Sequence, residues 1–306
     1  MRYRLKQAAL VTAIAMLGYL ALAIASDGST FLEGLRRLSA PQWLALLCLS
    51  LLNYCLRFVR WHHYLLLLGA RISLWRDLGI YFAGFAFTVT PGKAGEAVRS
   101  LYLRAAGVRW STGLAALAVE RLLDLAAVAL LATLAMQSFA NYAMPAAIVV
   151  VLGVGCLFIV TRPRIIHWLL LVLPKEGRVG SLAQGTVSIL DESRIILAPY
   201  TLLTGLLLGI TAWAAEAWGF YLLLQWLGND IDLLLAMGIY AVSMLAGAIS
   251  FLPGGLGGAE AAMAALLMTQ GMSLSTAILA TVICRAVTLW FAVLIGIGAM
   301  LTIKEH

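Results

Sequence analysis

Charge is the scarcest commodity in this chain. Of 306 residues only 11% are charged, and 63% are hydrophobic. Soluble domains are about 25% charged and about 45–50% apolar, so a water-soluble enzyme around one packed core is excluded. No long polar block is present either, which excludes a single-span anchor carrying a soluble payload. Alternation of apolar and polar residues is also missing. Continuous apolar runs such as residues 125–136 take its place, and they argue against a β-barrel, whose strands alternate. Cysteine is sparse. Cys48, Cys55, Cys156 and Cys284 all sit inside apolar runs, without the spacing of a metal site or a disulfide framework. They read as small packing residues, and no metal or cofactor is expected. The basic start at Arg2, Arg4 and Lys6 lacks a small-residue cleavage site after its apolar stretch, so a retained first span is expected.

What is present is a succession of membrane-length apolar segments, each span needing about 20 residues. Full spans are expected at 8–25, 42–68, 112–136, 144–160, 199–227 and 274–303, making an all-α polytopic membrane protein of about six spans. Two further apolar stretches are interrupted. Residues 78–90 meet Pro91-Gly92-Lys93-Ala94-Gly95-Glu96, and residues 233–251 meet Pro253-Gly254-Gly255-Leu256-Gly257-Gly258-Ala259-Glu260. The segments flanking each break are short, which favours a re-entrant helical hairpin over a turn between full spans. Residues 162–198 are the most polar stretch and read as a cytoplasmic loop with one or two surface helices.

The net charge of +7 reflects Lys and Arg retained in loops, not nucleic-acid binding. With the N-terminus in the cytoplasm, Arg71, Arg76, Arg162, Arg164, Lys175, Arg178, Arg194 and Lys304 fall inside, as do Arg99, Arg104 and Arg109 if residues 78–104 enter and leave on one side, while Arg36 and Arg37 stay outside. The positive-inside rule is then obeyed, with both termini expected in the cytoplasm, and the Leu/Ala-rich bias points to a bacterial inner membrane.

An internal repeat relates residues of about 78–136 to those of about 233–303 within a single transmembrane domain. At an offset of 164, Gly107 matches Gly271, Ser111 Ser275, Thr112 Thr276, Ala116 Ala280, Arg121 Arg285 and Leu125 Leu289. Pro91-Gly92 matches Pro253-Gly254 at an offset of 162. On the expected topology the two breaks enter from opposite sides. An inverted repeat with Gly/Pro-interrupted segments at matching positions is the mark of a secondary transporter. Non-helical backbone at membrane depth is tolerated only where it is buried or lines a wet cavity, so a cavity is expected between the breaks.

Charges inside spans cost at least about 2.5–3.5 kcal/mol each on insertion scales and need compensation. Arg57 and Arg60 lie three apart on one helix face, near Trp61 and Tyr64. Either they snorkel to the surface, which Arg60 is near enough to the helix end to do, or they serve a ligand at depth, where Arg57 already lies. Gly95 at the start of a helix would let Glu96 and Arg99 pair one turn apart, and the helix start with Lys93 would attract an anion. Glu120 and Asp124 share a face beside Arg121. They are either an ion-pair network or a proton relay. In the second half Cys284 and Thr288 replace these acids, so Arg285 needs Glu216, Glu260 or a bound anion. The deep cations Arg57, Lys93, Arg99, Arg121 and Arg285 roughly balance Glu96, Glu120, Asp124, Glu216 and Glu260.

At these residues the chain resembles the lysylphosphatidylglycerol synthase transmembrane-region family, also called flippase-like or UPF0104 proteins. The likeness rests on Arg57-Phe58-Val59-Arg60-Trp61, Pro91-Gly92-Lys93-Ala94-Gly95-Glu96 with Arg99, Glu120-Arg121 with Asp124, and Pro253-Gly254-Gly255-Leu256-Gly257 with Glu260. It implies a protein that moves lipids between leaflets. In bifunctional members the homologous domain flips an aminoacylated phosphatidylglycerol made by an attached synthase domain. This chain ends at His306 without room for that domain, so synthase activity is not expected. The resemblance leaves phospholipids, polyisoprenyl phosphates and hopanoids open as cargo. The expected ligand is an anionic lipid head group held by Arg57, Arg60, Lys93, Glu96, Arg99, Arg121 and Arg285. Proton coupling would fall to Glu120, Asp124 or Glu216. A membrane enzyme acting on lipid phosphates, or a non-transporting scaffold for a glycosyltransferase or synthase in lipid or glycan biosynthesis, are the alternatives.

Overall fold

The computed structural model describes residues 36–90, 95–133, 177–250 and 252–303, all helices and connections with no strand among them. The expected spans at 8–25 and 144–160, the residues Pro91, Gly92 and Lys93, and the chain termini lie outside the described residues. Ten helices are described: α1 (Ala40–Leu67), α2 (Leu74–Phe85), α3 (Val98–Ala105), α4 (Trp110–Ala132), α5 (Gly177–Ile196), α6 (Pro199–Trp226), α7 (Leu233–Ile249), α8 (Gly258–Thr269), α9 (Leu274–Arg285) and α10 (Phe291–Thr302). A single wide turn, Ala286–Trp290, joins α9 to α10.

Three helical stretches are long and apolar enough to cross a bilayer: α1 with 28 residues, α6 with 28, and Leu274–Thr302 with 29. They coincide with three of the expected spans. The fourth, α4, has 23 residues but carries Glu120, Arg121 and Asp124 at its middle. Its charges face protein, as described below. The polar stretch before α6 contains one described helix, α5, which lies along α4. Glu192 on α5 is buried and accepts from the Ser111 hydroxyl at 2.7 Å and from Arg109. Part of this segment is therefore docked on the helical core rather than spread on its surface.

The first break is described up to Thr90 and from Gly95, and the second almost in full. After α2 the backbone tightens into successive three-residue turns, from Ala86 to Ala83, Phe87 to Gly84 and Thr88 to Phe85. The Gly95 amide then donates to the Thr90 hydroxyl at 2.7 Å before α3 begins. After α7, Pro253–Gly255 forms a 3-10 turn with Gly254 and Gly255 both at positive φ (64° and 69°). Side chains rarely adopt that conformation, and glycine does so freely. α8 follows at once.

The repeat extends further than the residue matches show. α2 ends at Phe85 and α7 at Ile249; α4 begins at Trp110 and α9 at Leu274. These pairs keep the offset of 164, and Gly107 and Gly271 end the preceding helices at the same φ (84° and 83°). One helix earlier, α1 and α6 have equal length and start with a proline in their first turn. Each is followed by a positive-φ glycine, Gly69 or Gly228. Four helices thus repeat, in the order α1–α4 and α6–α9.

Two large apolar cores result, with a small third cluster around Leu289, Trp290 and Val293. One joins α1, α2, α3 and the first half of α4 through residues such as Trp61, Tyr81, Leu103 and Leu123. The other joins α6, α7, α8, α9 and the second half of α4. The last helix crosses over: α10 packs with the first core, against α2. Gly296 makes that contact possible, because a Cβ there would lie 2.2 Å from the Ala86 amide nitrogen.

Candidate functional site

Arg57 and Arg60 turn inward, not to the surface. Both are buried, at 6% and 1% exposure. Arg57 Nη2 meets Glu120 Oε1 at 3.1 Å and Asp124 Oδ2 at 3.2 Å, and Arg60 Nη2 meets Asp124 Oδ1 at 2.5 Å. Snorkelling is overturned here because α6 offers a groove. Gly205 and Gly209 lie one helical turn apart on it, and a Cβ at Gly209 would sit 2.7 Å from Arg60 Nη1. A Cβ at Gly205 would sit 2.2 Å from the Tyr64 hydroxyl.

The first break delivers the next two charges. Glu96 and Arg99 are paired, and Arg99 Nη1 also donates to Glu120 Oε2 at 2.8 Å. The Arg99 guanidinium lies over the Tyr81 ring at 4.2 Å and the Trp61 ring at 5.1 Å, a geometry that stabilises a desolvated cation. Trp61 is held in turn by its indole N–H donating to Asp77 at 3.0 Å, and Asp77 also contacts His62 Nδ1 at 2.6 Å. Gly84 leaves room for the Arg99 stem, since a Cβ there would meet Arg99 Nε at 2.4 Å. Arg121 completes the group. Its Nη2 lies 2.7 Å from Glu120, 3.3 Å from Asp124 and 3.4 Å from Glu96. Four guanidiniums thus converge on three carboxylates, and Tyr81 adds a hydroxyl to Glu120 at 3.0 Å. Glu120 and Asp124 each sit among several guanidiniums.

The second half is sparser. Arg285 Nε donates to Glu260 Oε1 at 2.7 Å, and its Nη2 to the Gly254 carbonyl at 2.8 Å. Glu260 also receives the Gly257 amide at 2.7 Å, so it closes the start of α8. Glu96 and Glu260 occupy equivalent places: each follows a break, and each meets the repeated arginine. Glu216 accepts from the Tyr240 hydroxyl at 2.5 Å. It borders a void of about 10 Å³ with Ser50, Cys284 and Thr288, room for about one water.

The halves meet at a cavity of about 290 Å³. Its polar lining is Arg121 and Asp124 from α4, Arg285 from α9, and the backbone at Gly254 and Gly255; the remainder is mainly apolar, with Trp213 among it. The two repeat-related arginines therefore share one hollow. Arg121, with 23% of its side chain exposed, is the most accessible of its cluster, whereas Arg60 and Arg99 are fully enclosed. Arg57, Arg60, Glu96, Arg99 and Glu120 stand behind Arg121 and do not line the cavity. Glu216 and Glu260 do not line it either, although Glu260 touches Arg285. Sequence reasoning missed Gly84, Gly205, Gly209, Tyr81, Tyr240 and Trp213. Glycines in helix interiors are unfavourable without a packing reason, and that was the one signal available for the first three.

The sequence model described as the lysylphosphatidylglycerol synthase TM region matches residues 7–296. The chain belongs to that family. Among its relatives, a UPF0104 membrane protein of Pyrococcus horikoshii is 23% identical over 282 residues, covering 81% of this chain and 84% of that one. A UPF0104 membrane protein of Methanothermobacter thermautotrophicus is 31% identical over 99 residues, 32% of this chain and 29% of the relative. The family's members are membrane proteins, in keeping with the three apolar spans.

Proposed function

We propose that this family member is a lipid transporter that moves an anionic, phosphate-bearing lipid between leaflets. The observation that carries the reading is the shared cavity: Arg121 and Arg285, matched by the repeat, both reach it, and much of its remaining wall is apolar. Guanidiniums suit phosphate, which they bind in bidentate fashion. An ionisable residue at membrane depth is most often functional, and an apolar wall suits the lipid beyond its head group. In this reading the polypeptide carries its ligand and does not convert it. The two breaks are re-entrant hairpins of inverted halves within about six spans, in a bacterial inner membrane with both termini cytoplasmic. The halves rock about the cavity to expose it to each side in turn. Lys93, beside the first break, belongs to the same reading. A phospholipid and a polyisoprenyl phosphate share the chemistry required.

The test is leaflet exchange in proteoliposomes, followed by dithionite quenching of a fluorescent phosphatidylglycerol. Loss of a charge-assisted contact is worth about 1.5–3 kcal/mol, so Arg285→Ala and Arg121→Ala are expected to slow exchange roughly 10- to 100-fold. Unchanged rates in both variants, with folded protein, defeat the proposal.

A further inference from the structure

The helix that carries Arg285 changes allegiance immediately after it. α9 packs in the second core through Ala277, Ala280 and Ile283. α10 packs in the first core through Phe291, Ala292 and Ile295. Between them lies the wide turn Ala286–Trp290, in which the Phe291 amide is shared between the Ala286 carbonyl, five residues back, and the Thr288 carbonyl. This is a π turn, one residue longer than an α turn. Such turns are rare and concentrate at functional sites. Its own side chains Leu289 and Trp290 pack with Val89 and Leu256, which come from the two chain breaks. The matching stretch of α4, just after Arg121, is unbroken α-helix. The turn is therefore peculiar to the second half and sits where the two cores and the two breaks meet.

Inside it, the Thr288 carbonyl accepts a hydrogen bond from the Tyr54 hydroxyl of α1. Tyr54 is 2% exposed, and its ring is wedged edge-on against Phe85 at 5.2 Å and tilted against Phe291 at 6.1 Å. One helix of the first core thus satisfies a backbone group inside the π turn. Converting the turn to α-helix would shift α9 against α10 by one residue, about 100° of rotation and about 1.5 Å of rise. Arg285, the residue before the turn, would leave its place at Gly254 and Glu260.

We infer that the π turn at 286–290 is the joint on which the two halves move, and that Tyr54 is a positioning residue that latches it so that Arg285 faces the cavity. The position of the joint is argued from packing. Its consequence for lipid rests on the transporter reading above. Tyr54→Phe removes only the hydroxyl. In the full chain in detergent micelles, hydrogen exchange of the 286–291 amides is expected to accelerate on the order of five- to tenfold, the size of one net hydrogen bond, with α4 unchanged. Unchanged exchange there, or acceleration spread evenly through the chain, overturns the latch. Binding of fluorescent phosphatidylglycerol gives the second readout. Tyr54→Phe is expected to weaken it severalfold in the otherwise native protein and to have no effect in an Arg285→Ala background. Equal weakening in both backgrounds shows that Tyr54 does not act through Arg285. Faster exchange with lipid binding untouched by either substitution leaves the joint standing and removes the lipid reading.

Discussion

The two halves of this molecule share a helix plan and differ in charge. In α1–α4 four arginines and three carboxylates are bound into one cluster; in α6–α9 Arg285 leans on Glu260 and a backbone carbonyl. At the positions of Glu120 and Asp124 the second half has Cys284 and Thr288. The feature common to both is a pair: an acidic residue after the break, and an arginine on the following long helix. In each pair it is the arginine that lines the cavity, while Glu96 and Glu260 stand behind it. Asp124 lines the cavity beside Arg121, and Arg57, Arg60, Arg99 and Glu120 lie behind and hold Arg121 in place. Charges that build the site are thus distinct from charges that line the cavity.

Breaking the dense half is expected to give the largest effect on stability. Glu120 touches Arg57, Arg99 and Arg121. Removing one partner from a buried ion group costs about 3–5 kcal/mol, so Glu120→Ala is expected to lower the unfolding temperature in detergent most of all, or to abolish accumulation of the folded protein. Gly84→Ala comes next. Its new methyl meets Arg99 Nε at 2.4 Å, and overpacking of this kind costs about 1–3 kcal/mol. Thermal melts of the variant check it, and a second substitution that shortens Arg99 is not expected to rescue it, because the carboxylates then lose a cation. In the sparse half, Glu260→Gln is expected to be milder. Glu260 is partly open, and the Gln amide can still accept from the Gly257 N–H at the start of α8. The melt is expected to move less than for Glu120→Ala, while lipid exchange in vesicles falls with the loss of the Arg285 partner. At the bottom stands the exposed pair Arg194–Asp191 on α5, 3.9 Å apart. Exposed ion pairs are worth about 0–1 kcal/mol, so Asp191→Asn is expected to leave both melt and exchange essentially unchanged. If it matched Glu120→Ala, the division between building and lining charges would be wrong.

Much of this architecture is written in local pattern. The limits of α1 and α6 follow apolar runs with proline at the start and glycine after the end, and α7 and the stretch Leu274–Thr302 also fall within a few residues of the expected bounds. The pairing of Glu96 with Arg99 follows from helical spacing alone, as does the common face of Glu120 and Asp124. What could not be read are contacts between distant helices. Arg57 and Glu120 are 63 residues apart in sequence, and nothing in either segment specifies the other. Arg60 turns inward because Gly205 and Gly209 on a third helix vacate the space, and an arginine near the end of an isolated apolar helix gives no hint of that. Arg121 and Arg285 were matched by the repeat, but only the fold shows that a single cavity reaches both while Arg99 is sealed behind aromatic rings. The π turn after Arg285 is written in Ala-Val-Thr-Leu-Trp, ordinary helix-compatible residues, and nothing in that string marks it.

The account stands or falls on what occupies the hollow between Arg121 and Arg285. Mass spectrometry of lipids that stay with the purified protein through detergent exchange measures this directly. The native chain is expected to retain a phosphate-bearing anionic lipid in near-stoichiometric amount, and Arg121→Ala combined with Arg285→Ala to lose it. Equal retention by the folded double variant, or retention of neutral lipid alone by the native chain, would contradict the central claim.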